Sequence, residues 1–238
     1  MALCQAALDP RDGKAGAQVF LSRYVTPGMT VIDIGANIGL YSLFLAELVG
    51  DQGQVLAFEP DPGLFEVALT NIRENGTELI IKIQNLALGS QPGPASLYRS
   101  SFNSGDKRQS VSRRHGDGVP VCVARIDDIV CHEKIDFIKL DVQGWEAEVM
   151  RGMQRTLRRN PELAIYFEYW PKGLRNAGER PLAMTAVLGQ CAFSIFLPGG
   201  LDPLSAREVE DLETTYTGNS SPNLLAKRVA SRAAASPA

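Results

Sequence analysis

Short apolar runs rich in β-branched residues alternate with longer helical stretches along most of the chain. The runs that predict strands are 30–34, 54–58, 79–84, 135–141, 163–167, 193–197 and 223–227. The stretches that predict helices are 40–49, 63–74, 147–153, 181–189 and 205–213. Strands that are apolar throughout suit a parallel sheet with both faces covered. The alternation therefore predicts an α/β fold with a wound sheet, in which ligands bind outside the carboxyl ends of the strands.

The first predicted strand ends in a glycine-rich turn, Asp33-x-Gly35-x-Asn37-x-Gly39. A dinucleotide-binding loop needs Gly-x-Gly-x-x-Gly, and Asn37 stands where the second of those glycines would be. An acid at this strand end would repel a pyrophosphate, but it could accept hydrogen bonds, directly or through water, from an α-ammonium group. The turn therefore favours S-adenosylmethionine over NAD. The alternative is that Asp33 only caps the turn.

A second acid, Glu59, follows the second predicted strand. An acid in this position can accept both hydroxyls of a ribose, and Pro60 offers a flat apolar edge for an adenine. Asn85 and Ala87 follow the third strand, where we expect their backbone to lie beside the same ring. The alternative for Glu59 is a solvated acid before a turn. Two strand-terminal acids, Asp33 and Glu59, separated by one helix make the cofactor interpretation the stronger one.

The fourth and fifth predicted strands also end in acids, Asp141 and Glu168. Carboxylates at this edge can orient a methyl donor, bind substrate hydroxyls or remove a proton. Glu146 either takes part in this chemistry or complements the dipole of the helix that it begins. Lys139, inside the fourth strand, is expected to pair or to extend to solvent rather than to react. The aromatic pair after Glu168, residues 169–170, suits a sugar or planar ligand, although a core cluster explains it nearly as well.

The segment 99–118 is polar and lacks periodicity. A loop of about 20 residues inside a compact domain is usually functional or disordered. We expect a lid over the substrate site, carrying His115, and the alternative is a solvated insertion. An extended segment, 119–125, follows it.

Composition narrows the class of protein. The chain has 238 residues, of which 45% are hydrophobic and 21% charged, which predicts one domain over 1–228 and a disordered tail over 229–238. A formal net charge of −3 makes nucleic acid a poor default partner. Neither an apolar run of about 20 residues nor a basic leader is evident, so a cytoplasmic protein without a membrane span is expected. The oligomeric state stays open, with a homodimer as one alternative.

The four cysteines show no Cys-x-x-Cys spacing, which favours reduced, buried thiols. A zinc site from Cys122, Cys131, His115 and His132 is conceivable but falls outside the usual spacings.

On these motifs the chain resembles the FkbM family, a class I group of S-adenosylmethionine-dependent methyltransferases. The resemblance spans about 26–197 and rests on the segments 33–39, 57–60 and 136–146. It implies a Rossmann-like α/β fold with a seven-stranded, mostly parallel sheet flanked by helices and an antiparallel final strand. It also implies that Asp141 lies near the transferred methyl group, and that the acceptor is a hydroxyl of a sugar, glycolipid or polyketide. The common family pattern has Glu where this chain has Gln143, so no role for an acid carries over to that position.

The expected activity is O-methylation of a small-molecule hydroxyl without a metal. The base is expected to be Asp141, then Glu168, then His115. The alternatives are N-methylation and a non-catalytic cofactor-binding or interaction module. The residues expected to bind the cofactor are Asp33, Gly35, Ala36, Asn37, Gly39, Tyr41, Ser42, Glu59, Pro60, Asn85, Ala87 and Asp141. The residues expected to bind the substrate are Asn103, Asp106, Arg108, Trp145, Glu146, Tyr169 and Trp170.

Overall fold

A computed structural model describes residues 14–99, 109–112, 118–218 and 220–229. The strands in this part of the chain are β1 Thr30–Ile34, β2 Gln54–Phe58, β3 Ile81–Gln84, β4 Ala87–Leu88, β5 Gly93–Arg99, β6 Gln109–Ser112, β7 Val119–Ala124, β8 Phe137–Leu140, β9 Ala164–Glu168, β10 Ser194–Phe196 and β11 Asn223–Lys227. The helices are α1 Lys14–Tyr24, α2 Leu40–Val49, α3 Pro62–Glu74, α4 Ile126–Ile129, α5 Glu146–Arg151, α6 Gln154–Arg159, α7 Pro171–Asn176, α8 Ala183–Gln190 and α9 Ala206–Thr215.

Seven strands form the main sheet, in the order β10-β11-β9-β8-β1-β2-β3. Strands β3, β2, β1, β8 and β9 pair in parallel, whereas β11 runs antiparallel to both β9 and β10. The seven-stranded, mostly parallel sheet with an antiparallel final strand is therefore confirmed. Because parallel strands end at the same side, β1, β2, β8 and β9 deliver the residues that follow them to one edge of the sheet, here called the rim.

Alternate residues of the central strands enter two different hydrophobic layers. Ile32 and Ile34 of β1 pack in the layer that includes Met150 of α5. Val31, which points to the opposite face, packs with Leu45 of α2. Both faces of the sheet are covered by helices, and this is why the central strands are apolar apart from the paired ions Asp33 and Lys139.

A second sheet, in the order β4-β7-β5-β6, was not expected from the sequence. The prediction of one continuous loop over 99–118 was wrong for Gln109–Ser112, because that segment is β6 and pairs antiparallel with β5. As an edge strand, β6 has Val111 as its buried apolar residue, so it lacks the hydrophobic pattern of a core strand. Residues 100–108 and 113–117 lie outside the described part of the chain.

No helix within the described ranges is both long and apolar enough to cross a membrane.

Candidate functional site

The turn between β1 and α2 lies against the end of β8. Gly35 has a φ of 81°, and a Cβ atom on it would lie 1.9 Å from the carbonyl oxygen of Asp141. Only glycine tolerates both this left-handed backbone and so close an approach. Gly39, at the N-cap of α2, provides no side chain to cover the first amides of that helix. The turn therefore leaves backbone accessible to a ligand beside the end of β8.

Asp33 lies beneath this turn with 0% of its surface exposed. Its Oδ2 accepts a hydrogen bond of 2.7 Å from the hydroxyl of Ser42. Its Oδ1 has no hydrogen-bond partner among the described residues. Because the carboxylate is fully buried, its expected contact with an α-ammonium group, direct or through water, stays a prediction.

Lys139 is the partner of Asp33, which stands directly opposite it in the pairing of β1 and β8. The buried Nζ atom of Lys139 lies 3.3 Å from Asp33 Oδ1 and 3.8 Å from Asp141 Oδ2, and it donates to the carbonyl of Gly35 at 3.3 Å. The same ammonium lies 4.8 Å from the centroid of the half-buried ring of Tyr41. Burial alone would lower the pKa of Lys139, but the charges of Asp33 and Asp141 outweigh it and raise that pKa above its ordinary value. Lys139 is thus a permanently charged link between two acids of the site, and it pairs rather than extending to solvent.

Glu59 follows β2 and is buried rather than solvated. Its Oε2 accepts the amide of Asn37 at 2.8 Å, and its Oε1 accepts the amide of Asp61 at 2.9 Å. Burial raises the pKa of this carboxyl, against the two backbone hydrogen bonds that lower it. Asn85 donates to the carbonyl oxygens of Glu59, at 2.8 Å, and of half-buried Pro60, at 3.0 Å, and so fixes the backbone behind the acid. Each carboxylate oxygen retains a lone pair, which fits the acceptance of two ribose hydroxyls.

Two of the expected cofactor residues are small and buried. Ala36, in the first turn, donates its amide to the carbonyl of Phe58 at 3.0 Å, which joins the turn to β2. Ala87 is the first residue of β4 and pairs with Val123 of β7, so it belongs to a strand rather than to a turn.

Asp141 and Glu168 meet at the rim, as expected from the ends of β8 and β9. The link between them is Gln143, whose Nε2 donates to Asp141 Oδ1 at 2.7 Å and to Glu168 Oε2 at 2.8 Å. Ser221, just before β11, donates to the other oxygen of Glu168 at 2.6 Å. The Asp141 side chain is 37% exposed, so one acid of this group is open to solvent.

Trp145 and Glu146 lie beneath the rim rather than on it, against the expectation that they contact substrate. The indole of Trp145 is 8% exposed and donates to the carbonyl of Leu88 at 3.0 Å. The carboxylate of Glu146, fully buried, accepts the amides of Val142 at 3.2 Å and Gly144 at 2.9 Å. Burial raises the pKa of Glu146 to about 8. Both side chains shape the turn after β8 from inside the core.

Tyr169 and Trp170 are also buried, in agreement with the alternative of a core cluster. Burial raises the pKa of Tyr169 to about 12, and its amide donates to the carbonyl of Pro222 at 2.8 Å. The indole of Trp170 donates to the carbonyl of Gly218 at 3.0 Å and covers Gly173 so closely that a Cβ there would lie 1.9 Å from the ring. These contacts place the two aromatic rings in the packing of β9 rather than beside an acceptor.

Asn103, Asp106, Arg108 and His115 lie outside the described residues, so the expected lid stays a prediction. Among the residues that are described, no group of three or more His, Cys, Asp or Glu side chains is arranged to hold a metal ion.

Sequence reasoning missed the roles of Gln143 and Ser221, and for Lys139 it offered pairing as one alternative without naming the partner. The signal for Gln143 was its departure from the family pattern, which was interpreted only as the loss of an acid. The signal for Lys139 was a cation inside an apolar strand.

The chain matches one protein family and is similar to several known methyltransferases. The model of the methyltransferase FkbM domain matches residues 33–195. Methyltransferase sdnD of Sordaria araneosa is 29% identical over 182 residues, which cover 61% of this chain and 68% of that protein. Methyltransferase FkbM from Methylobacillus flagellatus has a crystal structure that aligns with a TM-score of 0.52 at 15% identity, over 84% of this chain and 43% of that chain. A methyltransferase from Streptococcus mutans, solved in complex with SAH, aligns with a TM-score of 0.54 at 11% identity, over 91% of this chain and 97% of that chain. At these identities the two structures show the fold, and this chain spans less than half of the Methylobacillus protein.

Proposed function

The chain belongs to the methyltransferase FkbM domain family, and on this premise we propose that it methylates a hydroxyl of a small molecule, with Asp141 accepting the hydroxyl proton. That it is an S-adenosylmethionine-dependent methyltransferase follows from the family and its relatives. S-adenosylmethionine, when bound, supplies a methyl group on a positively charged sulfur. The acceptor oxygen gains the methyl carbon as the carbon–sulfur bond breaks, and its proton must pass to a base.

The first turn and the ends of β1 and β2 fit this cofactor. Asp33 places a buried negative charge beneath the first turn, which favours the cofactor's ammonium there, although Lys139 at 3.3 Å offsets part of that charge. Glu59 is held by two backbone amides and can accept ribose hydroxyls. Pro60 and the segment 85–87 would border the adenine.

The observation that supports Asp141 as the base is its combination of exposure and position. It follows β8 directly, its carbonyl oxygen packs against the Gly35 turn, and its carboxylate is 37% exposed. One oxygen accepts from Gln143, while the other faces Lys139 at 3.8 Å and retains lone pairs toward solvent. Glu168 is the weaker candidate because Gln143 and Ser221 each already occupy one of its oxygens.

The proposed acceptors are sugars, glycolipids or other natural-product alcohols, the kinds that the family resemblance implies. The protein itself contributes mainly alignment of the acceptor oxygen with the methyl carbon and the sulfur, together with removal of the proton.

The test is methyl transfer from radiolabelled S-adenosylmethionine to a panel of methyl glycosides and natural-product alcohols, each matched with the corresponding amine. We expect product from hydroxyl acceptors. Asp141→Asn should lower kcat by roughly 10²- to 10⁴-fold, since this is the usual contribution of a general base. Its affinity for S-adenosylhomocysteine, measured by calorimetry, should stay within about threefold, because Asn keeps the size and one acceptor oxygen. Asp51→Asn, an exposed acid between α2 and β2, is the matched control.

Two results would contradict the proposal. Methylation of the amines but not the alcohols would make the enzyme an N-methyltransferase. Turnover of Asp141→Asn at the rate of the control would remove Asp141 from its role as base.

A further inference from the structure

Gln143 occupies an unusual backbone position in the turn that follows β8. Its φ is 57°, in the left-handed region that residues with a side chain rarely adopt. The amides on both sides of it, those of Val142 and Gly144, donate to the buried carboxylate of Glu146. Gly144 is in turn packed so that a Cβ on it would lie 2.5 Å from the backbone of Gly173. The turn is therefore fixed from beneath and from the side, and it directs the Gln143 side chain to one place.

That place is the space between the carboxylates of Asp141 and Glu168. A single amide nitrogen has two hydrogens, and Gln143 uses one for each acid, at 2.7 Å and 2.8 Å. Since the two hydrogens diverge by about 120°, the accepting oxygens lie roughly 5 Å apart. Two negative charges this close repel each other, and a hydrogen-bond donor to each acid favours its charged form. A neutral group with two donors satisfies both acids without cancelling their charge.

We propose that Gln143 is a positioning residue that joins Asp141 and Glu168 into one hydrogen-bonded pair, in which Asp141 is placed to take the acceptor's proton and Glu168 is held for hydrogen bonding to the acceptor. The proposal rests on the proposed function of the rim. Gln143 itself need not touch the acceptor, because it acts through the two acids.

Described titratable groups on four elements face the pair. They are Lys139 on β8, Tyr41 on α2, Tyr166 on β9 and Glu146 on α5. Lys139 also forms an ion pair with Asp33 at 3.3 Å, so Asp33 and Asp141 both interact with its charge. Glu146 is fully buried beneath the turn, and both of its oxygens accept backbone amides there. Gln143 thus supplies the donor that is common to both acids.

The experiment measures the titration of the side-chain carboxyl carbons of Asp141 and Glu168 by ¹³C NMR, in the full chain with S-adenosylhomocysteine bound. Gln143→Leu and Gln143→Met both remove the donors, and Met keeps the length of the Gln side chain. Relative to the unmodified protein, the titration midpoints should rise by about half a pH unit or more in both variants. The control is Gln190→Leu, the same change at the exposed end of α8, which should leave both midpoints in place.

A role limited to filling space predicts that Gln143→Met leaves the midpoints in place, because Met has nearly the length and volume of Gln. Midpoints in Gln143→Met that stay within about 0.2 pH units of the unmodified protein would overturn the proposal. If Gln143→Leu fails to fold, the Met variant still decides the question. Because this readout needs no acceptor, shifted midpoints together with an absence of hydroxyl methylation would contradict the proposed function while leaving the positioning role of Gln143 intact.

Discussion

Replacing Lys139 with Met should destabilise the fold through Asp33 rather than through the loss of packing. Met has nearly the length of Lys, so the main change is the removal of a buried charge. Asp33, fully buried and 3.3 Å from Lys139, would then be an anion without its counter-charge. Breaking a buried ion pair by removing one partner costs about 3–5 kcal/mol.

Coulomb's law gives a similar figure. At 3.3 Å and an effective dielectric constant of about 20, the attraction between Lys139 and Asp33 is roughly 5 kcal/mol, which is an upper bound. The contribution of Asp141, at 3.8 Å, is discounted because its side chain is 37% exposed and solvent screens it. We therefore expect Lys139→Met to lose about 3 kcal/mol in the free energy of unfolding at pH 7.

The pH dependence of this loss has a definite sign. The folded-state pKa of Lys139 lies above its unfolded value of 10.5, so the pair's stabilisation is fully present below pH 10.5 and is lost only as the pH rises through the folded pKa. The difference in the free energy of unfolding between the unmodified protein and Lys139→Met should thus be constant from about pH 7 to pH 9.

Urea unfolding followed by circular dichroism measures the loss, with Lys82→Met on the exposed face of β3 as the control. Adding Asp33→Asn to Lys139→Met should recover most of the stability, since neither of these two positions then carries a buried charge. A loss of less than about 1 kcal/mol at pH 7 would refute the reasoning, since it falls below the cost of a buried unpaired charge. A double variant as unstable as Lys139→Met would assign the loss to packing instead.

Three further predictions follow from the same geometry. Glu59→Gln should weaken S-adenosylhomocysteine binding by about tenfold or more in calorimetry, because hydrogen bonds to a charged acceptor are worth about 1.5–3 kcal/mol; equal affinity would remove Glu59 from the ribose site. Burial raises the pKa of Glu146 to about 8. The stabilisation of the fold by its protonated carboxyl group is therefore fully present below the ordinary pKa of about 4.5 and is lost as the pH rises to 8. The stability of the unmodified protein relative to Glu146→Gln should therefore be greater at pH 5 than at pH 8.5 by up to a few kcal/mol in urea unfolding, and a constant difference would contradict this. Gly35→Ala should lower the free energy of unfolding by about 2 kcal/mol or more, because its Cβ would meet the carbonyl of Asp141 at 1.9 Å, whereas Gly189→Ala, which meets nothing within 4 Å, should be neutral or mildly stabilising.

The elements around the first turn could be predicted from the sequence to the residue. Strands β1 and β2 and helix α2 have the bounds that the apolar runs and glycines indicated, since burial on both faces and a sharp turn each leave a local pattern. Strand β6 left no such pattern, because an edge strand with a single buried Val needs no apolar run.

The side chains that follow the strands were harder to predict, because a strand end fixes where the backbone leaves the sheet but not where each side chain turns. Glu168 faces the rim, while Tyr169 and Trp170, one and two residues later, turn into the core. Lys139 shows the same limit. Its strand position was evident, but its partner Asp33 is its neighbour only through the register of β1 and β8, and local sequence spacing does not contain that register.

Ser221 shows that strand direction decides which residues reach the rim. Parallel strands deliver the residues after their carboxyl ends, and this rule correctly brought Asp141 and Glu168 together. Strand β11 runs the other way, with Asn223 opposite Glu168, so the residues before it lie at the rim. That is why Ser221, two positions ahead of the strand, donates to Glu168 at 2.6 Å. In a sheet with an antiparallel final strand, candidate site residues should therefore be sought after the parallel strands and before the antiparallel one.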